Sequence, residues 1–65
     1  MFYRYRDEVV NLKEVAFVGK NFLIGQKIWF IQIMTTVGAM SMKFPDMEER
    51  DRVFDEIWKK MEKID

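Results

Sequence analysis

From Asp46 onward the polar and apolar positions repeat at helical spacing. Stepping about 100° per residue puts Met47, Val53, Phe54, Ile57, Trp58, Met61 and Ile64 on one stripe and nearly every charge opposite. Asp46 stands where a helix N-cap is needed, Glu49 follows at capping-box spacing, and Pro45 marks the point where the chain turns in. Acidic Asp46, Glu48 and Glu49 sit at the positive end of the helix dipole, with Lys59, Lys60 and Lys63 at the negative end. Asp55 with Lys59 and Glu56 with Lys60 form correctly oriented i,i+4 pairs, worth roughly 0.2–0.5 kcal/mol each. The pattern therefore predicts an amphipathic helix over 46–63 with one face to bury. Arg50 interrupts that face, falling in the apolar sector of the first turn. It is expected to snorkel past the sheet edge, with an ion pair across a subunit boundary as the alternative, which makes it a candidate interface charge.

Upstream the period changes to two. Residues 27–35 are rich in Ile, Trp and Phe, and 39–44 alternate Met40, Met42 and Phe44 with Ser41 and Lys43, so both stretches read as strands. The short Thr36-Val37-Gly38 link joins them as an antiparallel hairpin. Residues 14–18 give another strand, preceded by an extended piece at 2–6 and a turn near Asp7-Glu8. Phe22-Leu23-Ile24, between Gly19 and Gly25, fits either an extension of the hairpin or a loop with an apolar tip. The predicted fold is α+β: a small antiparallel sheet of three to five strands with one C-terminal amphipathic helix on one face, in a single domain over 1–65.

Length makes this a demanding fold, because a chain of 65 residues buries only about 60% of the surface its unfolded form exposes. Small domains make up the deficit with disulfides, a structural metal or a second subunit. The sequence has neither Cys nor His, which leaves association. The apolar pattern agrees. Trp29, Ile31 and Ile33 occupy one side of the third predicted strand and Ile28, Phe30 and Met34 the other, and one helix covers only one side. Ile28, Phe30 and Met34 are the candidate self-association face of a homo-oligomer, most simply a dimer; the alternative is a monomer whose sheet curls over both faces.

The order of these pieces carries a resemblance. Val10-Asn11-Leu12-Lys13-Glu14-Val15 precedes the hairpin and Met47-Glu48-Glu49-Arg50-Asp51-Arg52-Val53-Phe54-Asp55-Glu56-Ile57 follows it. The chain thereby resembles a loose group of small uncharacterised phage, prophage and bacterial proteins that read strand, INLxxV, hairpin and EEERDxxFxxI. The resemblance spans nearly the whole chain and implies fold, with no catalytic residues to carry over. It implies a phage-type accessory protein in the host cytoplasm that binds another protein stoichiometrically, inhibition of a host defence or regulatory protein being one form. The apolar Phe22-Leu23-Ile24 departs from the polar turn of that pattern.

Chemistry is sparse. Without His or Cys the usual nucleophile-base pairs, thiolate catalysis and imidazole metal sites are missing, and three separated glycines build no phosphate-binding loop. No enzyme activity, cofactor or metal is expected. The uncharged stretch 28–42 would span about 22 Å as a helix, short of the roughly 30 Å hydrocarbon core, so no membrane span is expected. Met1 to Arg6 do not read as a secretory signal, and a cytoplasmic location is the expectation.

Two further binding features stand out. Phe22, Leu23 and Ile24 form a candidate anchor for a protein partner if exposed. Tyr3 and Tyr5 alternate with Arg4 and Arg6, the arrangement with which sheet-based binders stack bases while neutralising phosphates. The formal net charge of zero weighs against nucleic acid. Charge is nonetheless segregated: residues 1–45 carry six Lys/Arg against three Asp/Glu, and residues 46–65 five against eight, hence +3 and −3. The expected function is non-catalytic protein binding by a self-associating chain. A sheet-face binder of single-stranded nucleic acid or a nucleotide, and a structural assembly component, are the alternatives.

Overall fold

The computed structural model describes residues 1–63. Its order is β1 (Phe2–Tyr5), β2 (Glu8–Asn11), a 3-10 turn (Leu12–Glu14), β3 (Val15–Leu23), β4 (Ile28–Thr35), β5 (Gly38–Phe44) and α1 (Met47–Met61). The fold is α+β, with two antiparallel sheets in place of one: β1 pairs only with β2, and β3-β4-β5 form a three-stranded meander.

Strand β2 is the element that the sequence pattern did not reveal. Its hairpin turns on Arg6-Asp7, and Arg6 takes a φ of 54° where glycine or asparagine is the usual signal. The same substitution of roles occurs between β3 and β4. Gly25 lies in that turn, but Lys27 carries the positive φ of 52°. Lys27→Gly should therefore stabilise the protein by up to about 1 kcal/mol, the left-handed cost of a side chain less the flexibility that glycine adds. A higher urea midpoint checks it, and a lower one would show that the Lys27 side chain matters more than its backbone.

Directly paired residues share a face, so the register sorts the meander into two sides. Val18, Lys20 and Phe22 of β3, Trp29, Ile31 and Ile33 of β4, and Met40, Met42 and Phe44 of β5 face inward. Ile31, Ile33 and Met42 are fully buried there against Val53 and Ile57 of α1. The β1–β2 hairpin closes the same core with Tyr3, Tyr5, Val10 and the adjoining Leu12, and the Tyr5 ring meets Phe44 at 4.8 Å. A bulge between Val15 and Phe17 keeps Val15 on the inner side while turning Phe17 to the outer one.

Helix α1 starts as its sequence dictates: the Asp46 carboxylate accepts from the Glu49 N–H at 2.8 Å. Its buried line runs through Arg50, Val53 and Ile57, with Phe54 and Met61 partly covered. Met47 and Trp58, expected on the buried stripe, lie on its flanks and are exposed. The expectation for Ile64 lies outside the described residues. Glu56 is claimed by Arg52 at 2.6 Å and by the Tyr3 hydroxyl at 2.7 Å, where a pair with Lys60 was expected. Tertiary contact with β1 thus overrides the local i,i+4 choice.

Candidate functional site

Among the described residues nothing covers the outer side of the meander. Phe17, Leu23 and Met34 are 50%, 47% and 46% exposed, and Ile28 and Phe30 are partly exposed between them. These five share a side because Phe17 pairs with Met34 and Leu23 with Ile28, and Phe30 follows Ile28 by two residues, with Gln32 between Phe30 and Met34. Gly19 adjoins Phe17 on this side, and a Cβ there would stand 2.9 Å from the end of the Phe17 ring, so the ring lies over bare backbone. Gln32 lies between Phe30 and Met34 on the central strand, Asn21, Ser41 and Ala39 flank it on β3 and β5, and Lys43 is the one charge of the face.

The structure thus joins two candidates read separately from sequence. Ile28, Phe30 and Met34 of the proposed self-association face share one surface with Leu23 of the proposed partner anchor. The anchor itself is divided. Phe22 points to the opposite side and stacks on Trp29 with ring centroids 4.1 Å apart, while Ile24 stands at the tip of the β3–β4 turn, largely in solvent. Phe17 was missed because the predicted strand stopped at Val18, whereas β3 runs on to Leu23 and so sets Phe17 and Leu23 on the same side.

Tyr3 and Tyr5 need correcting as base-stacking candidates. They are 5% and 7% exposed, and their rings belong to the core. The Tyr3 hydroxyl donates to Glu56 at 2.7 Å and the Tyr5 hydroxyl donates to Glu49 at 3.1 Å. Arg52 lies between the two carboxylates, donating to Glu49 at 2.9 Å and to Glu56 at 2.6 Å, so one guanidinium ties both tyrosines of β1 to the helix. Burial, then the carboxylate each hydroxyl bonds, raise the pKa of both phenols above the usual tyrosine value. The bonds from Arg52 and Tyr5 hold the Glu49 carboxyl below its ordinary range. Arg4 remains outside, donating to the Arg6 carbonyl at 2.9 Å, and the Arg6 guanidinium lies 5.3 Å from the Tyr5 ring centre.

Arg50 is the buried charge of the fold, at 8% exposure. Its guanidinium stands 4.9 Å from the Trp29 ring centre, donates to the Asn21 carbonyl at 3.0 Å, and reaches the Asp51 carboxylate with two N–H groups at 2.9 and 3.1 Å. Lys20 approaches the same carboxylate at 3.5 Å and covers the Phe54 ring at 5.1 Å. Asp51 is accordingly held below the usual carboxylate range, chiefly by the bond from Arg50. Through these contacts Arg50 fastens α1 across β3 and β4.

Among the described residues no group of three or more acidic side chains converges as a metal site, and no ligand-sized cavity is present. No helix among them is long and apolar enough to cross a membrane. The surface that remains is the outer side of the meander, with Phe17, Leu23 and Met34 exposed on it. No family model, curated protein or solved structure matches the chain.

Proposed function

We propose that this protein acts without catalysis, by stoichiometric protein association, and that the outer face of β3–β5 is the contact, occupied first by a second copy of the chain. The observation that carries this reading is that Phe17, Leu23, Ile28, Phe30 and Met34 share one exposed side of the sheet, with Gln32 the one polar side chain among them on the central strand. A second copy suits the face because it is nearly uncharged, so two of them pack about a two-fold axis with no opposed pair except peripheral Lys43. Aligned sheet packing then supplies the second layer that a single helix cannot. The likeness to small phage-type proteins supports a further protein target, with inhibition of a host protein as its form and the host cytoplasm as its setting.

The footprint is modest. Strands of eight residues at about 3.4 Å rise and about 4.8 Å spacing give roughly 27 by 14 Å, below the about 800 Å² per partner of standard interfaces. Association through this face alone should therefore be reversible in the micromolar range. Met34→Lys places a charge on the central strand of the contact, beside Phe17 at an exposed position, and should weaken self-association at least tenfold while leaving the circular dichroism unchanged. Val37→Lys, at the exposed β4–β5 turn, should change neither. Sedimentation velocity over a concentration series checks both, and a Met34→Lys protein that assembles like the parent would exclude the face.

A further inference from the structure

Strand β5 is an edge of the meander with unpaired backbone groups. The two-residue turn Thr36-Val37 makes Thr35 and Gly38 a hydrogen-bonded pair, and the register then runs unbroken to Trp29 opposite Phe44. Every second residue of β5 from Gly38 to Phe44 therefore spends its N–H and C=O on β4. Ala39, Ser41 and Lys43 direct theirs away from the sheet. All three are exposed, β1 and β2 form a separate sheet, and among the described residues no backbone bond from elsewhere in the chain reaches them. An open run of this kind is a template for another strand.

The other edge of the meander is defended. Strand β3 is bulged between Val15 and Phe17, and Lys20 in its middle is an inward-pointing charge tied to Asp51. Pairing two β3 strands about Lys20 would set two lysines directly opposite each other, an unfavourable arrangement. Antiparallel pairing of two β5 strands about Ser41 is self-complementary. Serine meets serine, and each Lys43 meets Ala39 of the second copy.

We propose that two copies join β5 to β5 in antiparallel fashion about Ser41, making a six-stranded sheet that stops at its two defended β3 edges. The pairing merges two outer faces into one surface of about twice the area, which remedies the small footprint of a single face. Edge and face are separate contacts, the first using main chain and the second side chains. When both operate, the assembly is a tetramer with two kinds of two-fold axis.

Proline at position 41 tests the edge cleanly, because the N–H it removes points out of the sheet and serves no ladder bond. Ser41→Pro should keep its fold and lose one doubling step in sedimentation, tetramer to dimer. Met34→Lys should lose the other step, and the two together should give monomer. A folded Ser41→Pro protein that assembles as the parent does would overturn the edge contact and leave the face reading intact; a parent that doubles only once, and is made monomeric by Ser41→Pro and not by Met34→Lys, would do the reverse. Exposed Ala39 provides a check that does not depend on proline being tolerated. Ala39→Lys opposes two lysines across the axis and Ala39→Glu pairs with Lys43, so the dissociation constant should rise roughly two- to thirtyfold in the first and fall in the second, at about 0.2–1 kcal/mol for each of two symmetric pairs. Equal constants in both would refute the pairing.

Discussion

Arg50→Ala should cost about 2–4 kcal/mol of folding stability, a large share of what a chain of this length possesses. A stability of 0.05–0.15 kcal/mol per residue gives roughly 3–10 kcal/mol for 65 residues. The variant loses a charge-assisted bond to the Asn21 carbonyl, worth about 1.5–3 kcal/mol, and a stack on Trp29 worth about 0.5–2 kcal/mol. It also empties the space of the buried stem between α1 and the sheet. Arg50→Lys should recover only part of the loss, since an ammonium cannot hold Asn21 and Asp51 together with one planar fork. Urea denaturation measured with the assembly state held constant separates this from association. An Arg50→Ala protein as stable as the parent would mean that the side chain is free of the core.

The second large effect is alkaline. The chain has two tyrosines, and both hydroxyls are buried against carboxylates that Arg52 holds in place. Ionising either one would set a phenolate beside Glu56 or Glu49, so both phenols are raised above their ordinary pKa, first by burial and then by those bonds. A group that holds its proton more tightly when folded contributes stability fully present below the unfolded pKa, here about 10, and lost as the pH climbs toward the folded value. Tyrosinate absorbance should therefore stay silent near pH 10 and appear together with the loss of circular dichroism at higher pH. Two tyrosines titrating near pH 10 in a folded protein would contradict the ladder. Tyr3→Phe with Tyr5→Phe should lower stability at neutral pH and remove this part of the alkaline loss. The acid side has the opposite sign. Glu49 and Asp51 are held low, so their contribution is present above the usual carboxylate range and is lost as the pH falls.

The helix was legible because Asp46, Glu49, Val53 and Ile57 state cap and period together, and local preference agrees with tertiary packing there. The β4–β5 hairpin was legible for the same reason: its glycine falls where the turn needs it, with Gly38 at a φ of 157°. Strand β2 was hidden because Arg6, with no glycine or asparagine beside it, bears the left-handed conformation. Tyr3 and Tyr5 show a different limit. Alternation says that tyrosine and arginine occupy opposite sides of β1 without saying which side is inside, and the partners that decide it, Glu49 and Glu56, are more than forty residues away. Phe17 was lost because its strand was expected to end at Val18, and only over the full length of β3 to Leu23 do Phe17 and Leu23 become one side of a sheet. Arg50 was recognised as out of place. Its destination at Asn21 depended on β3 reaching that far, which the apolar run Phe22-Leu23-Ile24 left open between strand and loop.

Association through the uncovered sheet is the central claim, and the molar mass of the unmodified protein in solution tests it most directly. The chain mass is 7.9 kDa. Sedimentation velocity from micromolar to several hundred micromolar should show the mass doubling at least once, with reversible dissociation on dilution. A single 7.9 kDa species across that whole range would contradict the account.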